Sequence, residues 1–79
     1  MIEQDFIKSF ASQFDVTDPS EIVGTTDFKN LSEWDSLIAL SIIAIADEEC
    51  GVMLTGDDIN KAKTVSDLYK RVIELKNNS

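Results

Sequence analysis

Ten consecutive residues, Leu37 to Ala46, contain a single polar side chain, Ser41. The run is shorter than the roughly 18 residues of a membrane span and holds no turn-forming residue, so it reads as a helix apolar on every side. Such a helix is normally surrounded by protein. A chain of 79 residues buries only about 60–65% of the surface it exposes when unfolded, too little to enclose a central helix completely. At about 100° per residue, Ala39, Ile42, Ile43, Ala46 and Cys50 share one stripe, and Asp47, Glu48 and Glu49 lie off it. That stripe is the expected core face. Leu37, Ile38, Ala44 and Ile45 are then expected to point outward, with Ser41 and Glu48, as an exposed apolar strip of the kind that marks interaction sites.

The remaining signals are also helical. Phe6, Ile7, Phe10 and Phe14 mark one face of a first helix that fades at Asp15-Val16-Thr17-Asp18-Pro19. Asp18-Pro19-Ser20-Glu21 reads as a short capped turn. Residues 15–32 form a long connection, with Val16, Ile22, Phe28 and Leu31 as its expected anchors. The central helix spans about residues 35–50. It begins either at a capping box, Ser32-x-x-Asp35, or with Asp35 itself as the cap, and Gly51 ends it in the left-handed conformation. Val52-Met53-Leu54 returns to the core, Thr55-Gly56-Asp57-Asp58-Ile59 opens a short third helix, and Thr64-Val65-Ser66-Asp67 caps a fourth. Val65, Leu68, Tyr69, Val72, Ile73 and Leu75 give the fourth helix its apolar face. No convincing strand pattern occurs. The expected fold is all-α, a small four-helix bundle with three main helices and one short one, in a single domain over residues 1–79.

Charge and composition exclude several function classes. Residues 1–60 carry Lys8 and Lys29 against thirteen acids, whereas residues 61–79 carry five basic residues against Asp67 and Glu74. Nucleic acid is a poor partner for that acidic surface; the charge fits either a basic protein partner or plain solubility. With no histidine and one cysteine, neither a zinc site, an intrachain disulfide nor an acid–base pair can be assembled, and no enzyme is expected. Cys50 falls on the core stripe and reads as a small buried hydrophobe. Asp57-Asp58 lacks the spaced ligands of a calcium loop. Met1-Ile2-Glu3-Gln4-Asp5 has neither the basic nor the apolar region of a signal peptide, so the expected location is cytoplasmic. Asn77-Asn78-Ser79 fits a glycosylation sequon but is expected to be a polar tail.

Trp34-Asp35-Ser36-Leu37 opens the central helix. A hydroxyl there is exposed at the positive end of the helix dipole and has no base beside it, which suits a serine that is modified rather than one that attacks. An anionic phosphodiester is favoured at the same place. Trp34 reads as a packing residue over the loop.

Asp35-Ser36-Leu37 in this setting resembles the attachment motif of acyl carrier proteins. The resemblance extends over nearly the whole chain: the helix spacing, the acidic first two-thirds, Glu48-Glu49 closing the second helix and Thr64-Val65 opening the last. It implies that Ser36 carries 4'-phosphopantetheine, transferred from coenzyme A by a phosphopantetheinyl transferase, with Asp35 and Leu37 flanking the cofactor. Acyl groups would be held as thioesters on the arm and presented to acyl-loading and acyl-transfer enzymes with basic docking surfaces. A monomer with no metal site is expected. Fatty-acid carriers commonly place acids two and five residues after the serine, where this chain has Ile38 and Ser41. Trp34 is more similar to discrete carriers of specialised pathways. Docking is therefore expected at Leu37, Ile38, Ser41 and Ile45, with Glu48, Asp57 and Asp58 steering approach. An aminoacyl or peptidyl carrier on the same arm, or a cofactor-free helical adaptor, are the alternatives. Small residues on the core stripe facing four phenylalanines imply either rings filling the space or a cavity for an acyl chain; filling is expected.

Overall fold

A computed structural model describes residues 2–77; Asn78 and Ser79 of the expected polar tail lie outside the described residues. The first helix, α1 (Glu3–Ala11), forms where the spacing predicts a helix but ends before Phe14, with Glu3 and Asp5 in its first turn and Lys8 in its last, as the helix dipole favours. Phe6 and Phe10, one turn apart, are fully buried, and Phe14 is buried just beyond the helix end. Two tight turns, Gln13 N–H to the Phe10 carbonyl at 3.2 Å and Phe14 N–H to the Ala11 carbonyl at 3.1 Å, fold Phe14 back beneath α1.

The connection after α1 holds two single 3₁₀ turns, Pro19–Glu21 and Phe28–Asn30. Asp18 caps the first, accepting from the Ser20 amide and hydroxyl at 2.9 Å each. Ile22 and Phe28 anchor the connection in the core, with Leu31 partly buried. Val16 does not: it is 87% exposed, because the amides of residues 15–17 turn toward the Glu33 carboxylate and leave its side chain in solvent. The loop is clipped to the fourth helix by Val65 N–H to the Thr26 carbonyl at 3.2 Å and Ser66 N–H to the Gly24 carbonyl at 2.9 Å. A Cβ at Gly24 would clash with Ser66 Oγ, which would have to turn away from its bond to the Glu3 carboxylate.

The central helix, α2, runs from Ser36 to Ile45 and continues through a wider π-helical turn, Ala46–Cys50. Gly51, at φ 68°, ends it. The buried residues of α2 are Ile38, Ile42, Ile45, Ala46 and Cys50, with Ala39 and Ile43 only partly covered. This corrects the expected face. Ile38 and Ile45, each 9% exposed, turn inward because burying three isoleucines removes more apolar surface from water than burying alanine in their place. Burial pushes the Cys50 thiol pKa up, as suits a packing residue.

Val52 and Leu54 are buried and Met53 between them is exposed, the alternation of an extended segment. Helix α3 (Gly56–Lys61) starts with a capping box: the Asp58 amide donates to Thr55 Oγ1 at 3.2 Å and the Thr55 amide to Asp58 Oδ2 at 3.0 Å. Helix α4 (Val65–Asn77) starts with a matching pair, Thr64 and Asp67, whose amides each reach the other's side chain at 3.2 Å. Among the described residues these four helices, with no strand, make up the regular structure. Helix α1 packs on α2 and α4, and α3 packs on α4. The phenylalanine rings pack on one another in the core, with the Phe10 centroid 6.2 Å from Phe6 and 5.3 Å from Phe28.

Asp58 is the second correction. It is 8% exposed, and its remaining oxygen accepts from Arg71 Nε at 2.8 Å, which ties α3 to α4. Its neighbour Asp57 stays exposed and pairs with Lys61 at 3.1 Å. Burial pushes the Asp58 carboxyl up, but the bonds from Arg71 and from the Thr55 amide and hydroxyl outweigh it and hold the pKa below the ordinary 3.8. A depressed carboxyl stabilises the fold above its unfolded pKa, and that contribution disappears as the pH falls through the folded value. Asp58→Asn should therefore cost about 1–2 kcal/mol at neutral pH. In urea titrations the gap from wild type should narrow as the pH drops below about 4.

Candidate functional site

Asp35 has extended backbone, φ −151° and ψ −179°, and its carboxylate accepts from the Ile38 amide at 2.9 Å. Of the two possible starts for the central helix, Asp35 is therefore the cap, and Ser36 is the first helical residue. The first main-chain bond of α2 runs from the Ala39 amide to the Asp35 carbonyl at 3.1 Å. Asp35 thus takes the third amide of the helix and leaves those of Ser36 and Leu37, which have no helical partner, facing outward with the positive end of the dipole.

Ser36 is exposed, and among the described residues no hydrogen bond engages its hydroxyl. The other serine of α2 differs: Ser41 Oγ donates to the Leu37 carbonyl at 3.1 Å. Ser9, Ser12, Ser20 and Ser66 also spend their hydroxyls on internal bonds. A free hydroxyl without a base can be modified by another protein's chemistry. It cannot attack by itself.

Three successive residues fix the approach to Ser36, each from a different direction. The Trp34 ring stacks on Phe10 at 6.3 Å with 8° between planes, stacks on Phe14 at 6.4 Å, and meets Phe28 edge-on at 4.9 Å. Asp35 is held by the Ile38 amide. Glu33 reaches across the connection to the amides of Asp15 at 2.6 Å, Val16 at 3.0 Å and Thr17 at 2.7 Å. Burial pushes the Glu33 carboxyl up, but the Thr17, Asp15 and Val16 bonds outweigh it and hold the pKa below the ordinary carboxylate range.

Beside Ser36 lies an open cleft of about 560 Å³. Trp34, Ala39, Leu40 and Ile43 form one wall and Gly56, Ile59 and Asn60 of α3 the other, so its lining is mainly apolar. Lys29 Nζ donates to the Asn60 carbonyl at 2.6 Å and ties the far wall to the connection. A hollow of about 260 Å³ on the opposite side includes Asp15, Glu33, Leu37 and Ser41.

The structure brings Asp35, Ser36 and Leu37 together at the helix start, all exposed, with Leu37 at 73%. Glu48 and Asp57 are exposed and Ser41 is half-covered. Ile38, Ile45 and Asp58 are withdrawn from the surface, for the packing reasons given above. On α2, Leu40, 62% exposed, is the apolar surface residue that the sequence did not reveal. Leu37, Leu40, Ser41 and Ala44, spaced i, i+3, i+4 and i+7, form the true outer face, and Ser41 is its one polar mark in the sequence. Glu33 carried no comparable signal, because its partners lie 16 to 18 residues away.

Compared with known families, residues 4–72 match the family described as the phosphopantetheine attachment site. The chain belongs to that family. No curated protein and no solved structure matches. Family members hold 4'-phosphopantetheine covalently on a serine and are carriers rather than enzymes, served by a phosphopantetheinyl transferase and by biosynthetic enzymes. The structure fits such a group, offering an exposed, unbonded hydroxyl, two unpartnered helix amides suited to a phosphodiester, and an apolar cleft alongside.

The cap itself is testable. Asp35→Ala should lower stability by about 1 kcal/mol in urea unfolding, with faster amide exchange at Ile38 and little change in α4.

Proposed function

We propose that this phosphopantetheine carrier bears its arm on Ser36 and that its cargo is acyl, handled in a specialised biosynthetic pathway. The observation that carries the reading is an unbonded hydroxyl at the start of a helix; Ser32 is also exposed and, among the described residues, unbonded, but lies outside α2. Ser36 stands unbonded at the first position of α2, whereas Ser41 in the same helix is tied to the Leu37 carbonyl. When bound, the arm supplies a terminal thiol for thioester formation. The chain's own part is to present an oxygen, to leave two amides free beside the phosphate, and to flank the arm with apolar walls. The base that removes the Ser36 proton would come from the transferase, because the neighbouring carboxylate, Asp35, is turned to the Ile38 amide.

The choice of an acyl carrier for a specialised pathway rests on α2 and on charge. Where fatty-acid carriers commonly place acids, this helix has buried Ile38 and the internally bonded Ser41. Its outer face is Leu37, Leu40 and Ala44, with Glu48 at the far end and Asp57 on α3. Partners would therefore dock through apolar contacts, with the acids steering their approach. An aminoacyl or peptidyl carrier is the second reading, favoured by that same apolar face; the acidic balance of the chain favours the acyl type.

Incubation with coenzyme A and a promiscuous transferase should add the mass of one phosphopantetheinyl group to wild type, Ser32→Ala and Ser41→Ala. Ser36→Ala should gain none, and an arm on that variant would refute the assignment. Leu40→Asp should lower kcat/KM for loading by the cognate acyl-transfer enzyme about tenfold, while Val23→Asp, exposed beside Gln4, Ile7 and Lys8 of α1, should leave it unchanged.

A further inference from the structure

Both oxygens of the Glu33 carboxylate are fully used. Oε2 accepts from the amides of Asp15 at 2.6 Å and Val16 at 3.1 Å, and Oε1 from those of Thr17 at 2.7 Å and Val16 at 3.0 Å. Three consecutive N–H groups converging on one anion form a backbone nest. Only a carboxylate fills it. A glutamine would offer one oxygen and turn its NH₂ against donors.

Burial does not demand this arrangement for two of the three amides, Thr17 alone being half-covered. Asp15 and Val16 are exposed, and amides at the surface can bond water instead. What the clamp adds is local order at one place. It joins the end of the α1 connection to the residue three before Ser36, and the next residue, Trp34, is the one seated on Phe10, Phe14 and Phe28. Loop and helix entry are thereby fastened to the same point.

We propose that Glu33 is a positioning residue for arm transfer, holding the 15–17 loop and the segment 33–35 in the arrangement in which the transferase can engage Ser36. The inference rests on Ser36 being the attachment serine. Glu33 touches neither the hydroxyl nor the arm. Without its grip, the competent arrangement becomes one of several in exchange, and apparent affinity falls by the fraction of time it is populated.

The test is the KM-against-kcat split of the transferase with apo Glu33→Gln as substrate, measured well below the variant's thermal midpoint. The expected result is a KM raised about tenfold with kcat within about twofold. An unchanged KM, whatever happens to kcat, overturns the proposal, because a merely structural role would be silent in protein that remains folded. Amide exchange in wild type gives an independent reading should the variant fail to fold. The amides of residues 15–17 must be protected, and exchange at the rate of an unstructured peptide overturns the proposal as well. Mapping the arm separates the two claims: an arm on another residue sinks the Ser36 assignment, whereas an arm on Ser36 at wild-type KM sinks only the role of Glu33.

Discussion

The seat of Trp34 is the contact on which the rest of the site depends. Its ring lies against Phe10 of α1, Phe14 beyond it and Phe28 of the connection, and aromatic pairs of this kind contribute about 0.5–1.5 kcal/mol each beyond simple burial. Because the tryptophan is only two residues before Ser36, the packing of α1 directly determines where α2 begins. A connection of more than twenty residues could wander. Here it is pinned by Ile22 and Phe28 in the core, by the clip of Gly24 and Thr26 onto α4, and by Glu33.

The chemistry that results is that of presentation. Ser36 has a helix dipole behind it and no internal hydrogen bond to break, but nothing in the chain to make it a nucleophile. Reactivity is left to partners, and the protein's contribution is geometry and charge. The acids concentrate in the first 60 residues and the bases in the last 19. An incoming basic surface is therefore drawn toward the half of the molecule that holds α2, and away from α4.

Much of this was legible in the sequence, for identifiable reasons. Local devices acted within four residues and could be read directly: Asp18-Pro19, the Thr64–Asp67 pair and Gly51. The face of α2 was misread because every position from Leu37 to Ala46 except Ser41 is apolar, so periodicity carried no phase. The decision fell to side-chain size and to what α1 and α4 present, which only tertiary packing reveals. Asp58 was misplaced for a related reason: its partner Arg71 is 13 residues away on another helix. Val16 resembled an anchor by composition, yet the amides around it had a stronger partner in Glu33.

Fragmentation of the holo-protein isolated from its host, localising the arm among Ser32, Ser36 and Ser41, tests the central claim most directly. The account requires the phosphopantetheinyl group on Ser36 alone. Finding it on Ser32 or Ser41 would show that an unbonded hydroxyl at the mouth of α2 is not what the transferase selects.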